Sequence, residues 1–454
     1  MILLSYGHPA AAAIRPNILF FLIDDMGYSD LSCYGGTRVR TPTIDRLAAE
    51  GERFTQFYVN APICSPSRIA LTTGQYPNRW GITSYLDTRK LDKDRGIKDW
   101  LDPAAPTLAR ILHASGYYTA HVGKWHMGGQ RDVGEAPLIT EYGFDSSLTS
   151  FEGLGDRILP KWDLLPNGKE LVHQPTMMNS KLGRGNIRWV PRCRETENFV
   201  DRAIVEMDKA QKAGKPFYIN LWPDDVHSPC EAPPRERGNG TPVENYLGVM
   251  REMDRQFKRI YAYVQSKESL RGNTVIIVAS DNGPEKGLGT ANGLRGSKGQ
   301  LYEGGIRLPL IVWGPGVRNA VAAGTTNEKT VIAGMDLAPS LLGMAGIRPE
   351  AQVHFDGQDM SEVMLGKKLK ERDGPMMWVR PPDRPGPRGE FPDLAIRNGR
   401  WKLLLKRDGS GAELFDVVVD PGETRNLAGE KTDLVAMMSQ RVMEWDKAIR
   451  KDQP

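Results

Sequence analysis

Six consecutive apolar residues, Ile18 to Ile23 in "NILFFLIDDMG", end abruptly at Asp24-Asp25. A continuous apolar run, without alternation, predicts a strand buried on both faces, the habit of a parallel sheet. "TPTIDRLAAEG" then reads as a helix: Thr41 suits the cap, Pro42 the first turn and Gly51 the stop. "RFTQFYV" follows as a strand. The alternation continues with helix "PTLARILHASG" before strand "YYTAHVGKWH", and helix "TENFVDRAIVEMDKAQKAG" before strand "PFYINLWPDD". The long helix "VENYLGVMREMDRQFKRIYAYVQSKES" precedes strand "NTVIIVASDNG", and strand "LPLIVWGPG" with helix "GMDLAPSLLGMAG" closes the series. Strands alternating with helices predict an α/β fold around a mostly parallel central sheet flanked by helices.

The texture changes after about residue 365. "KKLKERDGP" and "RPPDRPGPRGEFP" are polar and rich in Pro and Gly, which argues against regular structure there. "LAIRNGRWKLLLKRDGSGAELFDVVVDPGE" offers short strands parted by NG and DGSG turns, and "DLVAMMSQRVMEWDKAIR" has helical spacing. The organisation expected is a lead-in over 1–15, a catalytic domain over 16–365 and a small antiparallel-sheet-plus-helix domain over 366–454.

Composition narrows the class. The chain has 454 residues, 40% hydrophobic and 26% charged, ordinary for a soluble globular protein with an ample core. Lys plus Arg (60) nearly cancels Asp plus Glu (56), so the chain has little general pull on nucleic acid. No run reaches the roughly 18 apolar residues of a membrane span. The start, "MILLSYGHPAAAAIRPN", reads as a signal remnant or a disordered lead-in; the first points to a periplasmic or secreted protein, the second leaves a cytoplasmic one open. The four cysteines, Cys33, Cys64, Cys193 and Cys230, form no CxxC and no zinc-type spacing. A Cys193–Cys230 disulfide is one option for them, thiols the other.

Two features carry chemistry. Three apolar strands end in acidic or amide residues, Asp24-Asp25, Asp224-Asp225 and Asp281-Asn282, and ligands of open α/β sheets bind at the carboxyl ends of strands. A cation site built from these ends is expected. The second is "NAPICSPSRIALTTGQYP". Cys64 stands just before an expected helix start, because Ser65, Pro66 and Ser67 all favour an N-terminus. Such a terminus attracts anions, and Arg68 adds a fixed cation one turn on. On this segment alone, a nucleophile beside an anion hole and a small apolar filler beside a surface arginine are both open.

"CSPSR" fits Cys-x-Pro-x-Arg, and with "IALTTGQYP" it resembles the signature of the formylglycine-dependent sulfatases. "NILFFLIDDMGYSDLSCYGG", "YYTAHVGKWHMG", "ASDNGP", "LRGSKGQLYEGGIRLPLIVWGPG" and "ELFDVVVDPGETRNLA" resemble further blocks of that family in order, over roughly residues 16 to 428. The resemblance implies an alkaline-phosphatase-like fold and a sulfuric ester hydrolase close to arylsulfatases and N-acetylgalactosamine-6-sulfatases. It implies that a formylglycine-generating maturation enzyme oxidises Cys64 to an aldehyde, whose hydrate attacks sulfur. Asp24, Asp25, Asp281 and Asn282, with the modified Cys64, would hold a divalent cation, most often Ca2+; oxygen-only ligands suit such a hard ion. Arg68 and Lys124 would neutralise charge around nucleophile and sulfuryl group. His126 would hydrogen-bond the second diol hydroxyl and later remove its proton. His227 and Lys298 would contact sulfate and assist the departing alcohol, with His227 as proton donor.

Taken alone, Lys124 and His126 in "GKWH" would read as surface residues; their place at a strand end favours the functional reading. The competing functions are phosphoester or phosphonate-ester hydrolysis on a related site, and binding of sulfated glycans without turnover. The substrate expected is a sulfated carbohydrate, a hexosamine or galactose 6-sulfate in preference to a small aryl sulfate. Residues 85–100, 151–195 and 228–242 are expected to line the pocket, with Trp100, Arg157, Trp162, Arg184, Arg188 and Trp189 suited to an anionic sugar.

Overall fold

The computed structural model describes residues 15–161, 179–318, 322–384, 386 and 390–451. Residues 1–14 of the 1–15 lead-in and Trp162 lie outside them. The strands are β1 (Asn17–Ile23), β2 (Glu52–Tyr58), β3 (Tyr118–Gly123), β4 (Ser146–Thr149), β5 (Arg157–Lys161), β6 (Ile187–Pro191), β7 (Phe217–Trp222), β8 (Thr274–Ser280), β9 (Arg307–Trp313), β10 (Thr325–Asn327) and β11 (Ile332–Ala333), then β12 (Met376–Val379), β13 (Leu394–Asn398), β14 (Trp401–Leu405) and β15 (Glu413–Asp416). The first eleven form one sheet in the order β10-β2-β9-β8-β1-β7-β3-β4-β5-β6, with β11 beside β2. All run the same way except β9, which is antiparallel to both β8 and β2.

β1 lies in the middle, and its unbroken apolar run serves both faces at once. Ile18, Phe20 and Leu22 enter one hydrophobic cluster, and Leu19, Phe21 and Ile23 enter another, as the two-residue pleat requires. The helices Glu195–Lys212 and Pro242–Ser266 cover the second face, where Phe21 stacks on Phe257 with ring centroids 4.3 Å apart. The helices Cys64–Thr73, Leu108–Ala114 and Leu337–Met344 cover the first. Layers of this kind bury a parallel sheet on both sides.

The small sheet is an antiparallel meander, β12-β13-β14-β15. One face packs under the helix Thr432–Lys451 through Leu394, Ile396, Leu403, Met438 and Val442. The other, through Trp378, Ala395, Leu404 and Phe415, is continuous with the core of the large sheet. The Trp378 indole donates to the Val59 carbonyl at 2.7 Å.

Several local expectations change. β4, β5 and β6 extend the sheet through sequence that carries no apolar pattern, "SSLT", "RILPK" and "IRWVP". β12 forms from "MMWV" between two Pro/Gly-rich stretches, because Tyr76 and the neighbouring core supply its partners. Thr41 makes no side-chain cap; Asp254 of the long helix accepts from the Thr43 and Ile44 amides instead. Cys193 and Cys230 are thiols, not a disulfide.

Gly123, the last residue of β3, is where the chain turns toward Lys124 and His126. Its φ is +117°, and a β-carbon there would stand 2.1 Å from the Trp222 carbonyl oxygen. Gly123→Ala is expected to cost more than about 2 kcal/mol, because left-handed strain adds to a backbone collision that no rotamer relieves. Thermal unfolding checks it; a melting temperature equal to that of the wild type would refute the close approach.

Candidate active site

The neighbours β7, β1 and β8 bring their carboxyl ends to one place. Ile23 is in register with Ser280, so Asp24 and Asp281 emerge level with each other. Asp25 follows with φ +57°, a conformation few residues other than glycine adopt, and its amide donates to Asp281 Oδ1 at 3.2 Å. Asn282 Nδ2 donates to Asp25 Oδ1 at 2.6 Å, which leaves the buried Asn282 Oδ1 without a hydrogen-bond partner among the described residues. Asp224 and Asp225 do not join this group. Asp224 turns to Arg192, whose guanidinium lies 3.4 Å from Asp224 Oδ2, so two of the three expected strand ends converge and the third is a structural anchor.

Cys64 is the first residue of the helix Cys64–Thr73, one position earlier than its serines and proline suggest, with Ile63 flanking it in extended conformation. Its Sγ lies 3.7 Å from Asp24 Oδ1. Potential ligand atoms of Asp24, Cys64 and Asp281 lie within 4.8 Å of one another, as do those of Asp25, Cys64 and His227. Burial pushes the Cys64 thiol well above its usual range. The unmodified side chain is therefore protonated at neutral pH and a poor nucleophile.

Arg68, fully buried one turn on, is locked rather than free to reach a ligand. Nε donates to Asp281 Oδ2 at 2.9 Å, Nη1 donates to the Lys124 carbonyl at 2.8 Å, and Nη2 lies 3.2 Å from Asp24 Oδ1. Burial opposes charge on Asp24, yet Lys124 and Arg68 outweigh it and hold the carboxyl well below its usual range. At Asp281 burial and the charge of Asp24 win, lifting it to about 7. Carboxylates crowded in this way, beside an orphaned amide oxygen, are a hard donor set, and a divalent cation fits them.

The other cations come from the next strand and from the loop before β9. Lys124 Nζ donates to Asp24 Oδ2 at 2.9 Å. His126 has φ +56° and places Nε2 2.9 Å from the Leu86 carbonyl. Lys298 Nζ donates to Asp25 Oδ2 at 2.5 Å and lies 3.0 Å from His227 Nε2. An ammonium can only donate, so His227 Nε2 accepts, and its Nδ1–H donates to the Ser228 carbonyl at 2.6 Å.

A cavity of about 1260 Å³ opens over this arrangement. Cys64, His126, Glu152, His227 and Lys298 line it, whereas Asp24, Asp25, Asp281 and Asn282 are buried behind them. The rest of the wall comes from residues 284–300 with Tyr85, Asp87, Arg131, Arg384, Glu390 and Phe391. Among the described residues of the segments expected to line a pocket, only Tyr85, Asp87 and Glu152 do so. Arg157 and Arg184 hold backbone carbonyls, Gly183 O and Ala136 O; Trp100 borders a different surface hollow and Arg188 another.

Residues 16–347 match the sulfatase family over more than half of the chain, and residues 297–448 match the family described as N-sulphoglucosamine sulphohydrolase, C-terminal. The chain belongs to the sulfatase family. This sulfatase is 31% identical to human arylsulfatase A over 94% of its own length and 86% of that protein. It is 27% identical to the N-acetylgalactosamine-6-O-sulfatase of Bacteroides thetaiotaomicron, over 94% of this chain and 92% of that one. Its fold superposes on the crystal structure of Ps i-CgsB in complex with k-i-k-neocarrahexaose with a TM-score of 0.77, at 26% identity and over 95% and 93% of the two chains. The sulfatase is thus an enzyme of alkaline-phosphatase-like fold, and no helix among its described residues is long and apolar enough to cross a membrane.

Glu152, Leu86 and the buried pair Glu303–Lys402 were missed by reading the sequence. The signal available for Glu152 was an acid just past a strand end, but the strand, β4, had no apolar run to announce it.

Proposed function

We propose that this sulfatase hydrolyses the sulfate ester of a sulfated carbohydrate, with Cys64 matured to formylglycine and Ca2+ as its cation. The observation that carries the reading is the convergence of Cys64, His126, His227 and Lys298 on one cavity, with Lys124 and four hard oxygen-donor residues buried behind them. Asp24, Asp25, Asp281 and Asn282 would hold the cation. Formylglycine would supply a hydrated aldehyde as nucleophile and the cation would withdraw charge from the sulfate.

The chain's own residues do the rest. Lys124 and Lys298 bring fixed positive charge to the sulfate position. Arg68 neutralises Asp24 and Asp281 from behind and keeps them in place. In the Lys298–His227 pair the shared proton rests on Lys298 Nζ and points at His227 Nε2, which can take it up and pass it to the departing alcohol oxygen, while the Nδ1–H bond to Ser228 fixes the ring. His126 is the base on the other side. A cavity of about 1260 Å³ exceeds what a simple aryl ester needs and suits a saccharide. The named substrates of the relatives, N-acetylgalactosamine 6-sulfate among them, support a 6-sulfated hexosamine or galactose.

The test is turnover by chain co-expressed with a formylglycine-generating enzyme, on saccharides sulfated at one position at a time, beside aryl sulfate and aryl phosphate. A 6-sulfated sugar is expected to be fastest, and faster turnover of the phosphate would overturn the reading. Chelation is expected to lower activity by about tenfold or more, and Ca2+ to restore it. Full activity in chelator would remove the cation from the proposal.

A further inference from the structure

We propose that Glu152 is a positioning residue: its carboxylate holds Lys124 behind the cavity floor and accepts the hydrogen bond of the proton that His126 takes up at Nδ1, and it does so at the expense of anion affinity. β4 pairs with β3 so that Thr149 stands beside Gly123, and the two chains leave the sheet together. Three residues past each strand end stand Glu152 and His126. The His126 amide donates to the Glu152 carbonyl at 2.6 Å, tying the two turns to each other. The side chains then meet as well. Glu152 Oε2 lies 2.9 Å from Lys124 Nζ and 3.1 Å from His126 Nδ1.

Each contact has a consequence. Lys124 is held between two carboxylates, Asp24 Oδ2 and Glu152 Oε2, both 2.9 Å away, and so has one place to be. At His126 the Leu86 carbonyl can only accept, so Nε2 carries the hydrogen and Nδ1 faces Glu152. Burial keeps the resting ring neutral, at about 3, against the pull of Glu152, while Lys124 and Arg68 also disfavour its charge. Nδ1 then has no hydrogen-bond partner among the described residues. A proton taken up by the ring enters at Nδ1 and completes a charge-assisted bond to Glu152. The carboxylate is itself held down to about 2: burial opposes its charge, but Lys124, with His126 once its ring is protonated, prevails.

A buried negative charge beside an anion's position is a poor choice for binding sulfate and a good one for fixing the groups that act on it. The two roles pull affinity and turnover in opposite directions, which a merely structural residue does not. The effect on turnover rests on the sulfatase reading above; the effect on anion binding does not.

The experiment uses the full chain in two forms. In the unmatured form, with position 64 still cysteine and calcium fixed, calorimetry measures inorganic sulfate binding. Glu152→Gln is expected to tighten it about tenfold, and Glu152→Asp, which keeps the charge, to leave it within about twofold. In the matured form Glu152→Gln is expected to lower kcat about 10- to 100-fold with KM unchanged or smaller, and Glu152→Asp to lower kcat because the shorter side chain cannot reach both partners. Sulfate binding that Glu152→Gln leaves unchanged or weakens overturns the proposal. So does a wild-type kcat in either variant. Should the Gln variant fail to fold, the Asp variant decides through its kcat. A matured wild-type chain that turns over no sulfate ester sinks the sulfatase reading instead, and the binding arm still decides Glu152.

Discussion

Cys64→Ala, expressed with a formylglycine-generating enzyme, is expected to lose at least about 10⁴-fold in kcat while retaining its fold. The sulfur makes one long hydrogen bond among the described residues, 3.7 Å to Asp24 Oδ1, and alanine removes only that one heavy atom from the buried position. Chemistry depends on it entirely. Burial raises the thiol far out of reach of neutral pH, and the cations nearby, Lys124 and Lys298, do not compensate. Unmatured wild-type chain should therefore be as inactive as the alanine variant, although every other residue of the site is present. Mass spectrometry of the peptide carrying position 64 checks the link: active material should have CH2SH replaced by CHO, in proportion to its activity. Alanine at position 64 with near wild-type turnover would overturn the nucleophile. Full turnover by chain whose peptide keeps its sulfur would overturn the maturation.

Position 64 is legible through its Cys-x-Pro-x-Arg spacing, whereas the cation site is legible because the large sheet advertises itself. β1, β7 and β8 are apolar on both faces, because each is central, and runs such as "NILFFLI" and "TVIIVAS" have no other simple explanation. A strand that announces itself also announces its end, which is how Asp24, Asp25, Asp281 and Asn282 stand out in the residue pattern alone. Asp224 and Asp225 carry the same signal and mislead, because only the position of Arg192, on another element well upstream, directs them away. The rim of the cavity was illegible for a related reason. β4 to β6 lie toward the sheet edge, carry polar residues and are held by backbone pairing, which leaves no mark on the residue pattern. Arg384, Glu390 and Phe391, which precede β13, reach a cavity built over the large sheet, a long-range approach that no local pattern announces. Glu152 combines both difficulties: it follows a short polar strand, β4, and its partners are set by tertiary register.

The packing of the small sheet onto the large one is where a second large effect is expected. Lys402 of β14 is fully buried, with Nζ 3.0 Å from Glu303 Oε1 and 2.9 Å from Glu423 Oε1. Tyr58 of β2 donates to Glu303 Oε2 at 2.6 Å, and Arg307 of β9 lies 3.4 Å from the same atom. Burial works against charge on Glu303, yet Lys402 and Arg307 hold it below the usual range, while burial lifts Glu423 to about 7. Lys402→Met keeps the volume and removes the charge that separates the two carboxylates. Breaking a buried pair by deleting one partner costs about 3–5 kcal/mol, and that loss is expected here. Amide exchange should report it first over 394–405, where the small sheet faces the core. The site should feel it too. Glu303 closes the loop that carries Lys298: the Gly304 amide bonds the Arg295 carbonyl at 2.7 Å, and the Glu303 amide bonds Glu423 at 2.7 Å. Loosening that closure lets Lys298 drift from Asp25 and His227, so kcat should fall at temperatures where the chain remains folded. Adding Glu423→Gln to Lys402→Met should recover part of both losses, since Glu303 keeps Tyr58 and Arg307. A Lys402→Met chain within about 1 kcal/mol of wild-type stability would show that apolar packing alone docks the small sheet, with the buried charges neutral bystanders.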